Sequence, residues 1–156
     1  ESKGDDRFRR GLYTYFWRSS PYPMLPTFDA PDANGTCTRR NRSNTPLQAL
    51  TLANDEAFME FAEALSDRIL KESSDYDDAR IQFAFDAVLA RQPSDFEQKR
   101  LLAFVAAQRK HFEANAADAK AAASPSHPES ADEAASATWT AFARVVLNLD
   151  EFITRE

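Results

Sequence analysis

The sequence predicts an all-α protein, an irregular helical bundle of about five helices with a long ordered proline-rich loop near its N-terminus. Three observations predict this fold class. The chain has only three glycines, the residues that tight turns between strands require. Apolar residues recur at three- and four-residue spacing in several segments. Helix-start signatures stand directly before several of these segments.

Length and charge limit the class of protein. The 156 residues, 43% of them hydrophobic, suffice for one domain with a buried core, and we expect residues 1–156 to form a single helical domain. A net charge of −6 argues against nucleic acid as a partner. No apolar run approaches the roughly 20 residues of a transmembrane segment. The chain begins at Glu1 rather than Met, so we interpret it as a fragment of a larger protein that could carry an export signal upstream.

The first 44 residues predict one helix and one long loop. Asp6 to Trp17 carries apolar residues on one helical face, although Gly11 weakens a helix and the aromatic run also suits a strand. Residues 19–44 contain prolines that forbid regular structure. Loops of this length tend to be ordered by their own side chains. Three apolar residues are expected to fix this loop to the core: Met24, Leu25 and Phe28.

Thr45 opens the clearest predicted helix. It can serve as N-cap, Pro46 fits the first turn, and Gln48 completes a capping box. This helix should end near Ala53. A second helix, capped by Asn54 or Asp55, should run from about Glu56 to Lys71, or the two pieces run as one kinked helix.

Three further helices and one linker are predicted in the remaining chain. The helices should span about Asp77 to Arg91, from the capping box at Ser94 to about Glu113, and about Glu133 to Leu149. The short break between the first two predicts a helical hairpin. Residues 114–136 are rich in Ala, Ser, Asp and Glu, which predicts a low-complexity, partly mobile linker.

Three arginines form the candidate binding site. Arg39, Arg40 and Arg42 stand just before the predicted helix start, where backbone N–H groups and the helix dipole favour an anion. Together with Asn44 and the N–H groups of Leu47 and Gln48, they are candidate ligands for a carboxylate, phosphate or sulfate group. We favour the alternative that the arginines pair with Asp29 and Asp32 and fix the loop, because acidic residues outnumber basic ones.

No residue pattern predicts a catalytic or metal site. Nearby arginines could activate the Cys37 thiol, but neither His111 nor His127 is placed to assist it, so we expect a buried, inert cysteine. Asp29 and Asp32 could act as an acid–base pair, but they also fit ordinary turn chemistry. The histidines and the cysteine lack zinc spacing, and the haem-attachment pattern Cys-x-x-Cys-His is absent, so this fragment is expected to carry no cofactor of its own.

Two further sets of residues, one aromatic and one polar, each have two interpretations. Tyr13, Tyr15, Trp17 and Tyr22 could stack on sugar rings, but aromatics at helical spacing more often belong to a core, which is the interpretation we favour. Three polar residues interrupt an apolar run near the C-terminus and should cap helix ends or bond to the arginine loop: Asn148, Asp150 and Glu151.

One long motif resembles a known family. The stretch Cys37-Thr-Arg-Arg-Asn-Arg-Ser-Asn-Thr-Pro-Leu-Gln-Ala-Leu50, followed by Asn54-Asp55, is similar to the planctomycete-specific C-terminal domain of unknown function. That domain is found with cytochrome-c-like domains in large secreted bacterial proteins. Further matching blocks are Arg9 to Thr14 with Phe16-Trp17, Phe28 to Asp32, Leu89 to Ser94 with Glu97, and Leu147 to Phe152.

The resemblance implies an exported, periplasmic or cell-surface protein, a haem in another domain of the parent protein, and partners among the other domains of that parent. It supplies no catalytic residues, so an enzymatic role is not expected. Our leading hypothesis is a non-enzymatic interaction or structural module. The alternative is a module that binds an anion or acidic glycan through the Arg39–Arg42 loop, and a third is a hydrolase that uses the loop carboxylates.

Overall fold

The computed structural model describes residues 11–13, 15–17, 19–31, 35–39, 41 and 43–154. Contacts within the chain group into two compact units, Glu1–Gln48 and Ala49–Glu156. The expected single domain over residues 1–156 stays a prediction.

The described part of the chain is helical and contains no strand, which confirms the all-α fold class. Eight α-helices follow a 3₁₀ turn at Gly11–Tyr13. Their bounds are α1 Met24–Thr27, α2 Pro46–Asn54, α3 Glu56–Glu72, α4 Asp77–Leu89, α5 Asp95–Ala114, α6 Ala116–Ala122, α7 Glu133–Leu147 and α8 Asp150–Ile153.

Helix α7 forms the centre of the second unit. It packs against α3, α4, α5 and α6. Its Trp139, Phe142 and Val146 are fully buried in one apolar cluster with side chains from the three long helices around it, among them Ile69, Ile81, Phe85 and Val105. Burial of each such side chain contributes roughly 1.5–3 kcal/mol. The predicted core faces of α4, α5 and α7 therefore meet in a common core.

Local capping sets the helix boundaries largely as the sequence predicts. Asp55 caps α3 by accepting a hydrogen bond from the Ala57 N–H at 2.9 Å. Ser94 and Glu97 form the predicted capping box of α5. Helix α4 ends at Leu89 rather than Arg91 because Ala90 adopts a left-handed conformation with φ 55°, which stops the helix before Pro93.

The last predicted helix ends two residues early, and a short helix follows it. Helix α7 ends at Leu147 rather than Leu149, and Asn148 occupies its C-cap, with its N–H directed to the carbonyl of Val145. A separate turn of helix, α8, follows. Asn148, predicted to cap a helix end or bond to the arginine loop, thus occupies a helix end. Leu149 follows it and packs against the core.

The N-terminal segment departs from the prediction. The expected helix over Asp6 to Trp17 is wrong at its C-terminal end, where residues 15–17 are not helical; residues 6–10 and 14 lie outside the described residues. Isolated helices of this length depend on packing of an apolar face, and Tyr15 and Trp17 are exposed instead. The following loop holds the short helix α1, so the expectation that its prolines forbid regular structure is wrong there. Its Met24, Leu25 and Phe28 are half-buried, and their expected attachment to the core stays a prediction.

The expected linker at residues 114–136 is a packed segment instead. It contains α6, whose Ala119 is buried with Phe112 and Ala137. Alanine favours helix, and its small side chain lets α6 approach α7 closely. The loop after α6 is fixed by Ser124 and Ser126, whose hydroxyls both donate to the buried Asp67 carboxylate of α3, at 3.0 and 2.8 Å. A low-complexity composition here encodes ordered structure.

Candidate functional site

The predicted capping box at the start of α2 is present. The Gln48 N–H donates to the Thr45 hydroxyl at 3.2 Å, and the Thr45 N–H donates to the Gln48 side-chain carbonyl at 2.9 Å. These two bonds satisfy groups that a helix N-terminus otherwise leaves without partners. The Gln48 N–H was one of the donors expected to bind an anion, and that part of the prediction is wrong because Thr45 occupies it.

The side-chain amide of Gln48 has a second role, which the sequence analysis did not identify. Gln48 is only 1% exposed. Its Nε2 donates to the Thr27 carbonyl at 2.9 Å and lies 3.1 Å from Oγ of Ser43. A single buried amide thus connects the end of α1, the arginine loop and the start of α2. The adjacent buried carbonyl oxygen is the one used in the capping box, so both halves of the amide have partners.

Asp29 closes the loop from the other side. Its backbone φ of 56° is left-handed, a conformation in which Asp is several-fold enriched among residues other than glycine. Its carboxylate accepts the Ser43 N–H at 2.7 Å and the Ser43 hydroxyl at 2.8 and 2.9 Å. The carboxylate is therefore part of the loop's own hydrogen bonding, which fits turn chemistry better than acid–base catalysis.

The structure locates only part of the predicted anion site. Arg39 and Asn44 are exposed. Arg40 and Arg42, like Asp32, lie outside the described residues. Convergence of the arginines on one ligand, and their pairing with Asp29 and Asp32, both stay predictions.

Cys37 is exposed and free, so the expectation that it is buried is wrong. Its thiol donates to the Arg39 carbonyl, with Sγ and O 3.3 Å apart. The histidines have partners within the second unit: His111 lies 3.2 Å from Asp118, and Nδ1 of His127 lies 3.3 Å from the Pro128 carbonyl.

The four aromatic residues that could belong to a core or stack on sugar rings are all exposed. Tyr13 is 62% exposed, Tyr15 79%, Trp17 61% and Tyr22 52%, and the neighbouring Leu12 is 81% exposed. The core interpretation is therefore wrong for them. The rings of Tyr15 and Trp17 contact each other edge to face, with centroids 6.1 Å apart. Residues 15–17 are not helical, so Tyr15 and Trp17 do not lie on the helical face that the sequence predicted.

A cluster of three charged residues lies in the second unit. Arg91, just after α4, donates to Glu97 of α5 at 2.8 and 3.0 Å and to Glu151 of α8 at 2.6 to 3.0 Å. The guanidinium also lies 5.2 Å from the ring centroid of the buried Phe85. Glu151, one of the three polar residues predicted to cap helix ends or bond to the arginine loop, bonds to Arg91.

These contacts shift the pKa values of all three side chains. Hydrogen bonds from Arg91 and Ser94 lower the pKa of Glu97 from 4.5 to about 2. Hydrogen bonds from Arg91 also lower the pKa of Glu151. Glu151 and Glu97 in turn raise the pKa of Arg91. The cluster borders an open cleft of about 830 Å³ with apolar walls from Val88, Leu89 and Leu149.

The described residues hold no group of three His, Cys, Asp or Glu side chains able to bind a metal ion. Within that same part of the chain, no helix is both long and apolar enough to cross a membrane.

Fold and site together define an all-α module. A family model described as PSD1, a protein of unknown function (DUF1553), matches residues 1–105, and the chain belongs to this family. The match includes the arginine loop and the helices α2 and α3 as well as Arg91 and Glu97. No curated protein and no solved structure matches the chain.

We expect Gln48→Ala to lower the free energy of unfolding by about 1–3 kcal/mol, because it leaves the Thr45 N–H and the Thr27 carbonyl without their partner. Chemical denaturation measures the loss, and amide exchange at residues 43–48 locates it. Gln82→Ala is the matched control, since Gln82 is exposed on α4 and its replacement should be nearly neutral. Equal effects of the two substitutions would contradict the role of the Gln48 amide.

The Arg91 cluster predicts a pH dependence. Glu97 has a lower pKa when folded than its ordinary 4.5, so its pairing stabilises the protein above pH 4.5, and this contribution is lost as pH falls towards about 2. The difference in free energy of unfolding between the wild type and Arg91→Gln should therefore shrink over that range. Arg68→Gln, which removes an exposed pair with Glu72, should give a small difference that varies little with pH. A wild-type minus Arg91→Gln difference that stays constant from neutral pH to pH 2.5 would refute the assignment.

Proposed function

We propose that the chain is a non-enzymatic interaction module of an exported multidomain protein of the planctomycete type. The observation that carries the proposal is the exposure of five large side chains within residues 12–22, each more than half exposed. The partner we propose is another domain of the same parent protein, with a cytochrome-c-like domain that carries the haem as the specific candidate.

The composition of this exposed segment supports a protein partner. Aromatic residues are enriched at the centres of protein–protein interfaces, where Trp and Tyr supply much of the binding energy. Exposed aromatics that contact each other, as Tyr15 and Trp17 do, offer a large apolar area to a partner at little cost in side-chain entropy. Exposed apolar patches on proteins commonly mark interaction sites.

Site-specific photo-crosslinking in the full-length parent protein tests this proposal. With p-benzoylphenylalanine at position 15, we expect a cross-link to one defined polypeptide segment of the parent. Position 76 is the matched control, since Tyr76 is 78% exposed and Tyr15 is 79% exposed, but Tyr76 lies outside the exposed aromatic segment. Mass spectrometry identifies the linked peptide. Equal yields at both positions, or no specific product at position 15, would reject the proposal.

We propose anion binding by the arginine loop as the second candidate function, with an acidic glycan as the ligand. Charge distribution favours it. Residues 1–48 hold eight Lys or Arg against five Asp or Glu, a net charge of +3, whereas residues 49–156 hold eleven against twenty, a net charge of −9. The exposure of Arg39 leaves at least one guanidinium accessible to a ligand. Arginine provides two parallel donors to sulfate or carboxylate groups.

The triple substitution of Arg39, Arg40 and Arg42 by Ala should weaken binding to heparin or alginate at least about tenfold, since each lost charge-assisted contact removes a substantial part of the affinity. Isothermal titration calorimetry at low ionic strength measures it. Substitution of Lys71, Lys99 and Lys110 by Ala makes the same change in net charge at exposed sites in the second unit and should change affinity little. Absence of binding by the wild type, or equal losses in both variants, would eliminate the glycan hypothesis.

A further inference from the structure

Helix α8 is attached to the second unit by few contacts. It is a single turn, separated from α7 by Asn148 and Leu149. None of its residues is fully buried. Phe152 is half-buried and packs against the small apolar cluster of Ala62, Ala143 and Leu147. A segment with so few buried contacts belongs to the part of a structure that opens locally before it unfolds as a whole.

Arg91 holds α8 through Glu151. Glu151 is bonded twice through Nε of Arg91, at 2.8 and 3.0 Å, and once through Nη2, at 2.6 Å. Bidentate pairs of this kind fix geometry as well as adding energy. The same guanidinium is held by Glu97, and Glu97 is in turn held by Ser94 through the capping box of α5. Glu97 therefore holds Arg91 in place from α5, independently of α8.

The surface next to this attachment combines charged and apolar side chains. The cleft between the end of α4 and α8 has walls from Val88, Leu89 and Leu149. Displacement of α8 would add the surface under Phe152 to this cleft, because Val88 packs against the same cluster as Phe152. Phe152 therefore packs on the apolar cluster that α3 and α7 form, next to Val88 of α4.

From this geometry we infer that α8 is a releasable latch: the Arg91–Glu151 pair holds it closed, and its release uncovers the apolar strip formed by Ala62, Val88, Ala143 and Leu147. Glu151 is 48% exposed, so salt can screen the pair. Arg91 keeps its second carboxylate partner, Glu97, when α8 leaves. Opening therefore costs no unpaired buried charge, which makes local release possible without global unfolding.

Amide exchange on the intact chain tests whether α8 opens by itself. The reporters are the N–H groups of Phe152 and Thr154, which donate to Leu149 and Asp150 at 3.0 and 2.8 Å. Glu151→Gln should accelerate both about tenfold, as expected for loss of charge-assisted bonds that protect a local opening. The amide of Val146, within the core of α7, should change less than about twofold. Glu129→Gln is the control for an exposed loop glutamate.

Thiol labelling tests whether the strip is uncovered. In a Cys37→Ser background, Leu147→Cys should react faster with a thiol reagent when Glu151→Gln is added, and also when salt is raised to about 0.5 M in the otherwise unchanged chain. Val105→Cys, in the main core, should show neither effect.

Two results would overturn the latch. One is unchanged exchange of the α8 amides in Glu151→Gln. The other is equal acceleration at α8 and Val146, or equal labelling at Leu147→Cys and Val105→Cys, because opening would then be global unfolding.

Discussion

The enclosure of α7 is the constraint on which the second unit depends. Nine of its fifteen residues are buried, so apolar and small side chains point to nearly all sides of the helix. A helix buried all round is stable only when neighbours cover each face. The short α6 and the loop after it supply the covering that the long helices leave incomplete, which explains why an alanine- and serine-rich segment is ordered. Small residues such as Ala137 and Ala143 let these neighbours approach closely.

Where helices end, polar side chains connect parts of the chain that are far apart in sequence. In the first unit, Gln48 and Asp29 join the two ends of the arginine loop. In the second unit, Arg91 joins the α4–α5 turn to α8, and its partner Glu151 lies 60 residues further along the chain. In the first network, Gln48 is itself part of the α2 capping box. In the second, Arg91 bonds to Glu97, which is part of the α5 capping box. Helix capping and loop fixation are therefore the same set of hydrogen bonds at these two places.

These networks also bear on function. The charged and polar residues that stand out in the sequence, such as Asp29 and Glu97, bond to neighbouring segments and hold the fold. Several large aromatics near the N-terminus and Arg39, in contrast, face solvent. Asp29 and Glu97 are therefore engaged in contacts that hold the fold, whereas these aromatic rings are open to solvent.

The sequence by itself determined the fold class and most helix boundaries. Capping boxes and apolar periodicity act over one or two turns, so Thr45 with Gln48 and Ser94 with Glu97 could be identified without knowing the fold. For the candidate site, the sequence indicated the arginine loop but not the second bond of the Gln48 amide, because its partner Thr27 is 21 residues away.

Only the tertiary structure decided which residues are buried. Tyr15 and Trp17 are residue types typical of a core, yet they are exposed. The segment at 116–124 has the composition of a linker, yet it is packed. Composition reports a residue's preference for water, but burial requires a neighbouring surface of matching shape. That surface comes from other chain segments, as α7 supplies it for α6.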